Sequence, residues 1–260
     1  MLKRLVGVIT IKDGWAVQSI GYQKYLPLGR PEVIAENYDR WQLDEILVVD
    51  IDRTKLNMGP NYDLLEKIIA KRIMTPLCYL GGVRNIDDAL HLINKGADRI
   101  AIDSLFLRDP ESALEISHVL GRQALVRVQP LVIRNSEVHG YDYLRSISTA
   151  KIDPQSFVNM NYGFSELMIV DVENEGKINS FSDELIAPFR GYNLQLICFG
   201  GITSQIQISS LFKESNISAV AIGNSLSYTE IPHKKLIIQT EVDIARMTSF
   251  GAMTRGARDW

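Results

Sequence analysis

The sequence predicts a single (β/α)8 barrel, and three observations lead to this prediction. Short runs rich in Val, Ile and Leu recur along the 260 residues, and most are apolar on both faces, as parallel strands covered by helices are. Helix-like segments separate these runs, and the alternation fits a barrel of this length. Similar motifs also recur about 120 residues apart, which indicates a duplicated half-barrel. A doubly wound open sheet is the alternative arrangement of the same elements.

The predicted elements follow one another in a regular order. The strand-like runs are residues 5–11, 45–51, 76–80, 99–103, 123–129, 166–172, 194–199 and 219–223. The helix-like segments between them are residues 31–41, 62–73, 86–95, 110–120, 154–162, 183–189 and 204–214. Several of these segments begin with a Pro, or with an Asp, Asn or Ser that can cap a helix. We expect one barrel domain over residues 1–244, followed by a tail over residues 245–260 that is either an end without fixed structure or a docking segment.

The repeated motifs place glycine and serine at matching positions of the two halves. Residues 80–86 (LGGVRNI) match residues 199–205 (FGGITSQ), and residues 99–105 (RIAIDSL) match residues 220–226 (VAIGNSL). Glycine lets the backbone approach a ligand closely, and N–H groups at the start of a helix suit a phosphate. The residues predicted on this basis to hold the two ends of a bisphosphate are Gly82, Ser104, Gly201 and Ser225.

The composition limits the class of protein. The formal net charge is −3, so the bulk electrostatics do not favour nucleic acid or an anionic membrane as a partner. Cys78 and Cys198 lie in apolar runs, so a disulfide framework is not expected. No run of about 18 apolar residues occurs, and the apolar stretch near the N-terminus is too short for a signal peptide. A cytoplasmic location is the expectation.

No metal and no cofactor are expected. His91 and His118 fall in predicted helices, whereas His139 and His233 fall in predicted loops. None of them is paired with a second His or a Cys at the spacing of zinc ligands. No serine or cysteine stands out as an activated nucleophile.

Together, several motifs resemble one enzyme family, the cyclase subunit of imidazole glycerol phosphate synthase. They are KDG at 12–14, DEILVVD at 44–50, LGGVR at 80–84, GADRIAIDS at 96–104, NEG at 174–176, FGG at 199–201 and NS at 224–225. The resemblance extends to about residue 231. It implies a barrel whose top binds a doubly phosphorylated ribonucleotide, with Gly176 and Asn224 among the phosphate-binding residues. It also implies a partner glutaminase that docks at the bottom, beside Asp98, and sends ammonia up the barrel axis.

The sequence departs from this family where the family carries its chemistry. The family's two catalytic aspartates end its first and fifth strands, and the resemblance places Thr10 and Gln129 there. Neither side chain titrates near neutral pH, so neither can serve as a general acid or base. A family lysine after the first strand is replaced by Gln18, and a neutral amide at the end of the fourth strand by Asp103. These departures predict lost or altered chemistry at the top.

Other carboxylates lie near the same predicted rim. Asp50, Asp52 and Asp171 follow strands, and Glu173 and Glu175 stand where the family has aspartates. The strand-end aspartates either take over the proton transfer or serve only the structure of the strand ends.

The bottom of the predicted barrel keeps the family's pattern. The family's ammonia entrance is ringed by two basic and two acidic residues, and the matching positions are Arg4, Glu45, Arg99 and Glu166. The alternative is that these charges are separate, solvated caps of strand ends. Because buried ion pairs stabilise proteins less than apolar packing does, a ring of them favours a passage for ammonia.

One residue conflicts with an open passage. Because side chains alternate along a strand, Arg127 shares a face with Gln129. If Gln129 lines the interior, Arg127 also points into the barrel, one layer below its mouth. A buried guanidinium needs a partner, and Asp103 is the candidate. The alternative is that a bulge turns Arg127 outward.

Three functions remain open from the sequence. The first is a divergent subunit of a glutamine amidotransferase complex. The resemblance associates this function with amide or amidine formation on sugars in surface-polysaccharide pathways, where a third amidotransferase or synthetase protein takes part. The second is a working cyclase of histidine biosynthesis in which other carboxylates transfer the proton. The third is a scaffold that activates a glutaminase, so the sequence leaves open whether the chain is itself an enzyme.

Overall fold

The computed structural model describes residues 3–159 and 163–227, and their fold is a closed parallel barrel. Its strands are β1 (Arg4–Lys12), β2 (Trp15–Ile20), β3 (Lys24–Gly29), β4 (Glu45–Asp50), β5 (Leu77–Leu80), β6 (Arg99–Ile102), β7 (Leu125–Arg134), β8 (Glu137–Asp142), β9 (Ile147–Lys151), β10 (Glu166–Asp171), β11 (Leu196–Phe199) and β12 (Ile217–Ile222). Parallel pairing follows the order β1, β4, β5, β6, β7, β10, β11 and β12, and β12 pairs with β1 to close the barrel. The predicted (β/α)8 barrel is confirmed.

Helices connect the strands of the barrel. They are α1 (Pro31–Arg40), α2 (Ile51–Lys55), α3 (Tyr62–Ile69), α4 (Ile86–Asn94), α5 (Ser104–Arg108), α6 (Pro110–Leu120), α7 (Pro154–Asn159), α8 (Gln205–Leu211) and α9 (Asn224–Ser227). The side chains of Asn61, Asn85, Asp109 and Ser204 accept backbone N–H bonds that begin α3, α4, α6 and α8. In the described part of the chain, no helix is long and apolar enough to cross a bilayer.

Two predicted helices differ from the structure. Over residues 183–189 the expectation of one helix is wrong, since the chain forms two short 3-10 helices, Asp183–Leu185 and Ala187–Phe189. Pro188 has no N–H to donate and therefore cannot continue an α-helical hydrogen-bond pattern. The helix predicted over 154–162 begins as expected, but residues 160–162 lie outside the described residues, as do His233 and the tail over 245–260.

Two antiparallel hairpins extend from the barrel strands, and the sequence predictions missed both. Strand β1 turns back at Asp13 and Gly14 into β2, and β3 then pairs with β2. Strand β7 runs on to Arg134, turns at Asn135 and Ser136, and pairs with β8, which pairs with β9. Both turns have positive φ at their two central residues, which is the geometry of a tight hairpin. The Asp-Gly dipeptide was a readable signal for the first one.

The barrel separates the apolar residues into an inner and an outer layer. On β1, Val6 and Val8 belong to the inner cluster, which all eight barrel strands supply. Leu5, Ile9 and Ile11 face the other way and pack with the helices. Side chains alternate in this manner because successive residues of a strand point to opposite faces. Since both layers are buried, nearly every residue of the strands is apolar.

The half-barrel repeat extends to backbone geometry. Gly81 and Gly200 both have positive φ, 143° and 110°. A Cβ atom on either one would lie 2.5 Å from a carbonyl oxygen, that of Asp50 in the first half and that of Asp171 in the second. The same strand-end contact therefore requires glycine at the same place of both halves.

Candidate functional site

Four charged side chains meet at the bottom of the barrel, where its strands begin. Arg4, Glu45, Arg99 and Glu166 are the first residues of β1, β4, β6 and β10. Nη1 of Arg4 donates to Oε2 of Glu45 at 2.8 Å, and Nη2 of Arg4 donates to Glu166. Nη1 of Arg99 lies 3.2 Å from Oε1 of Glu45 and 2.8 Å from Oε2 of Glu166. Each arginine thus contacts both glutamates, and we call these four residues the charge ring.

The charge ring is largely withdrawn from water. The exposed fractions of the side chains are 4% for Glu45, 6% for Glu166, 14% for Arg99 and 25% for Arg4. Burial raises the pKa of Glu45, and there it outweighs the two arginines. For Glu166, Arg4, Arg99 and a hydrogen bond from Ser218 outweigh burial and lower the pKa. The four side chains therefore form one paired network rather than separately solvated strand caps.

Above the charge ring the barrel interior is lined by apolar side chains, and several of them are small. The inner cluster contains several small residues, among them Ala101, Ala219 and Ala221, and Cys78 lies just inside the ring. Burial raises the pKa of the Cys78 thiol, so this group stays neutral. A molecule that moves from the bottom to the top of the barrel would pass uncharged side chains in this cluster.

Asp98 lies at the bottom face, next to the charge ring. It is exposed, and its carboxylate accepts the backbone N–H of Leu77 at 2.8 Å. Asp44 does the same for Leu5 at 2.7 Å, two strands away. The Asp98 carboxylate therefore has a local structural role, and its contact with a partner stays a prediction.

At the top, the inner face of β1 presents the residue expected from the sequence, but the inner face of β7 does not. Thr10 is buried and follows Val6 and Val8 on the inner face of β1. On β7 the inner face carries Val126 and Val128. Alternation then places Pro130 inward and Gln129 outward, opposite Ile169 of the outer layer. The expectation that Gln129 lines the interior is wrong, and Pro130 is the residue that closes this strand inside the barrel.

Arg127 also lies outside the barrel interior, so its predicted inward position is wrong. It pairs in register with Ile102 and Leu167, which both belong to the outer layer. Its guanidinium stacks near the rings of Phe106, Phe157 and Phe164, with its Cζ 4.8, 4.3 and 5.8 Å from their centroids. Burial lowers its pKa to about 10. No bulge produces this direction, because the register with both neighbouring strands is continuous.

The two hairpins meet over the mouth of the barrel, which is the end where the strands finish. Tyr22, in the turn between β2 and β3, packs on the inner cluster. Its ring meets that of Tyr143, which follows β8, edge to face at 5.0 Å between centroids. Tyr143 in turn contacts Tyr141 at 5.3 Å. Sequence reasoning missed these tyrosines because it missed the hairpins that carry them.

Glu175 fixes the first hairpin in this position. Its buried carboxylate accepts the Ser19 hydroxyl at 3.0 Å and the Tyr22 N–H at 3.1 Å. Its carbonyl oxygen accepts the N–H of Gly21 at 2.9 Å. Burial is the largest effect on this carboxyl and raises its pKa. The residue expected to replace a family aspartate is thus a structural anchor for the hairpin.

Two of the predicted phosphate-binding residues contact the same hairpin. The amide of Asn224 bonds both the N–H and the carbonyl oxygen of Ser19. Gly176 lies so close that a Cβ atom would overlap with the carbonyl oxygen of Ser19 and the Cα of Ile20. In this arrangement both residues hold protein backbone, and their role toward a phosphate stays a prediction.

The other predicted phosphate-binding residues lie at strand ends in each half. Gly82 donates its N–H to the hydroxyl of Thr54 at 3.0 Å. Gly201 accepts the N–H of Ser180 at 2.9 Å through its carbonyl oxygen. Ser104 and Ser225 lie at the starts of α5 and α9, as expected. The arrangement repeats in both halves, and phosphate binding there stays a prediction.

Asp103 follows β6 at the mouth and has an unusual proton affinity. The alternation that faces Arg99 and Ala101 inward also faces Asp103 inward. Burial raises its pKa to about 7, and the carboxylate of Asp142 acts in the same direction. Burial is the main cause that raises the pKa of the Tyr22 and Tyr143 phenols, and the Asp103 carboxylate adds to it in both, which places this carboxylate near both rings.

The strand-end aspartates bind neighbouring groups. Asp50 accepts the side-chain amide of Asn61 at 3.3 Å, and burial raises its pKa to about 6. Asp171 accepts the Asn174 side-chain amide at 2.9 Å and the Ser182 N–H at 2.9 Å. Asp52 accepts the N–H of Asp13 at 2.6 Å and the ammonium of Lys12 at 3.2 Å. These contacts agree with the structural alternative for all three aspartates.

Comparison with known proteins assigns the chain to a family. Residues 4–232 match the family model described as "Histidine biosynthesis protein". The chain is 29% identical over 227 residues to the imidazole glycerol phosphate synthase subunit HisF of Staphylococcus epidermidis, which covers 84% of this chain and 87% of that protein. It is 27% identical over 241 residues to the protein of the same name from Campylobacter concisus, covering 90% and 93%. The resemblance inferred from the sequence motifs is thereby confirmed, and the chain belongs to the histidine biosynthesis protein family.

Proposed function

We propose that this chain is the synthase subunit of a glutamine-dependent amidotransferase complex, in which a glutaminase docks on the bottom face and supplies ammonia. The observation that carries the proposal is the charge ring, whose four side chains have the signs that the resemblance implies and are mutually paired. Buried ion pairs stabilise a fold less effectively than apolar packing. A charged ring beneath an apolar interior therefore supports a role in passage rather than in stability.

Ammonia enters through the charge ring and crosses the inner cluster as a neutral molecule. An ammonium ion is held back, because an isolated charge is strongly disfavoured among apolar side chains. At least one ion pair of the ring must open during passage. Arg4 is the more exposed of the two arginines and is the side chain that moves with the smaller loss of contacts. Asp98, exposed beside the ring, gives the glutaminase a further contact.

The names of the relatives support ring closure in histidine biosynthesis as the reaction at the mouth. Among the three functions that the sequence leaves open, they favour the working cyclase over the sugar-modifying subunit. Its substrate is a phosphorylated small molecule, held at the strand ends that carry Gly82 and Gly201.

A second candidate is amide or amidine formation on a sugar in surface-polysaccharide biosynthesis, with a third amidotransferase or synthetase protein. The observation that favours it is the mouth, where Thr10 and Pro130 end β1 and β7 in place of carboxylates. The third candidate, a scaffold that activates a glutaminase, requires the charge ring but no chemistry at the mouth.

Glutamine hydrolysis and product formation, measured separately, test the proposal. The chain is mixed with a glutaminase of the family, and glutamine hydrolysis is expected to rise on mixing. The rise is expected to be lost in Arg99→Ala and in Glu166→Ala. Lys151→Ala serves as the matched control, since Lys151 pairs with Glu137 on an exposed hairpin away from the bottom face.

The acceptor is tested with an ammonium salt and the ribonucleotide substrate of imidazole glycerol phosphate synthase. Cyclised product supports the working cyclase. Absence of product together with intact glutaminase stimulation moves the assignment to the sugar-modifying subunit or the scaffold. Absence of any glutaminase stimulation contradicts the proposed function itself.

A further inference from the structure

We infer that Asp103 is the catalytic proton-transfer residue at the mouth of this barrel. The inference rests on the proposed ammonia-using function and names the group that carries out its acid–base step. Positions 10 and 130, which end β1 and β7 on the inner face, hold Thr10 and Pro130, and neither can accept and return a proton near neutral pH. Asp103 directly follows β6, faces the same interior and is a carboxylate.

The first argument is position. Ala101, two residues before Asp103, belongs to the inner cluster, and Tyr22 packs on that cluster from above. Asp103 lies close enough to Tyr22 and Tyr143 to add to the effect of burial, which is the main cause that raises the pKa of both phenols. Its carboxylate is therefore under the two hairpins, at the point where a molecule leaving the barrel axis reaches the mouth. Active sites of such barrels lie at this end.

The second argument is that Asp103 has no structural task. It occupies the position before α5, yet its side chain caps none of the N–H groups of that helix. Within residues 3–159 and 163–227, no hydrogen bond or ion pair binds its carboxylate, and other charges act on it only at longer range. Asp50 and Asp171, by contrast, are held by side-chain amides. A partly buried carboxylate without such contacts costs stability, which a functional role explains.

The third argument is its proton affinity. Burial is the main cause that raises the pKa of Asp103 to about 7, so both protonation states are populated at neutral pH. The charged and titratable groups around it come from β7, α5, β8 and the two hairpin turns. They are Arg127, Arg108, Asp142, Tyr22 and Tyr143. The two arginines lower the pKa and Asp142 raises it, and burial exceeds all of them.

The proposed step is the addition of ammonia to a carbonyl carbon of the acceptor and the loss of water. The nitrogen lone pair forms the C–N bond, and the electron pair of the carbonyl π bond moves to oxygen. The Asp103 carboxylate removes one proton from the nitrogen and gives it to the oxyanion, which becomes a hydroxyl group. The restored carboxylate then removes a second proton from the nitrogen and delivers it to this hydroxyl group. The C–O bond breaks, the nitrogen electron pair forms the C=N bond, water leaves, and the carboxylate is restored. No oxidant or reductant is required.

The test uses Asp103→Asn, which keeps the shape of the side chain but cannot titrate, and Asp103→Glu, which restores a carboxyl. Turnover of the ribonucleotide substrate with ammonium chloride is followed from about pH 5 to about pH 9. We expect Asp103→Asn to lower kcat by about 100-fold or more, with KM much less changed, and Asp103→Glu to recover part of the rate. The limb of the pH profile near 7 disappears in the Asn variant.

Glutaminase stimulation separates this inference from the proposed function. Asp103→Asn is expected to stimulate glutamine hydrolysis as the wild type does, because Asp103 lies at the opposite end from the charge ring. Asp103 is not the proton carrier if Asp103→Asn keeps both the wild-type turnover rate and the limb of its pH profile near 7. The same conclusion holds if the wild type shows no ammonium-dependent turnover while it still stimulates glutamine hydrolysis. In either case the proposed docking of a glutaminase stands.

An NMR titration of isotope-labelled aspartate carboxyls gives a readout without activity. One carboxyl is expected to titrate near pH 7 and to be missing from the spectrum of Asp103→Asn. A midpoint for Asp103 near that of an ordinary aspartate, about 4, overturns the inference.

Discussion

Replacing Glu166 by Gln tests the charge ring as a single buried network. The change keeps the shape of the side chain and removes one negative charge, so Arg4 and Arg99 are left with one glutamate between them. Breaking a buried ion pair by removing one partner costs about 3–5 kcal/mol. Because the two arginines keep 25% and 14% exposure, water screens part of the excess charge, and we expect a loss of about 3 kcal/mol. For a chain of this length that corresponds to a fall in Tm of roughly 6–12 °C.

Urea unfolding and thermal melting measure this loss. Glu173→Gln is the matched control, because Glu173 forms an exposed ion pair with Arg134 at 2.7 Å, with exposed fractions of 48% and 43%. Removing an exposed pair changes the free energy of unfolding by about 1 kcal/mol or less. If Glu166→Gln costs no more than Glu173→Gln, the four charges act as independent solvated caps and the network interpretation fails.

Three further predictions concern the mouth and the outer layer. We expect Asp103→Asn to stabilise the fold at neutral pH. Because the pKa of Asp103 is raised in the folded state, the folded state binds more protons than the unfolded state, and the stability of the wild type falls as the pH rises from about 4 to about 7. The difference in Tm between variant and wild type should therefore grow over that range. Gly176→Ala loosens the first hairpin by pushing on Ser19, and limited proteolysis there should be faster than in Gly14→Ala, which has a similar φ and open space. Arg127→Met, on the outer face, should leave the ratio of glutamine-dependent to ammonium-dependent turnover unchanged; a change would place Arg127 on the ammonia path.

The barrel strands could be predicted because each one is apolar on two faces and short, a pattern that parallel strands require. The four members of the charge ring could be named as well, because the resemblance to the family marks these positions at the starts of four strands. Their mutual contacts could not, because the partners lie about 40 or more residues apart in a chain whose closure alone brings them together.

The same two-sided burial explains the error on β7. Leu125 and Val126 are both buried, so the sequence offers no contrast between an inner and an outer face. The resemblance places Gln129 at an inward catalytic position and alternation then places Arg127 inward as well, yet aromatic rings of the outer layer receive the guanidinium. Asp103 was noticed in the sequence as a change of charge. Its raised pKa follows from burial beneath two hairpins that the predictions did not contain.

The source of the nitrogen in the product tests the central claim most directly. The complex of this chain with its glutaminase is given glutamine whose amide carries a heavy nitrogen isotope, together with an excess of unlabelled ammonium salt, and the isotope content of the product is measured by mass spectrometry. If ammonia passes through the charge ring and along the inner cluster, the product carries the heavy isotope despite the excess, and Glu166→Gln reduces that fraction. A product whose isotope content equals that of the surrounding ammonium would contradict the account.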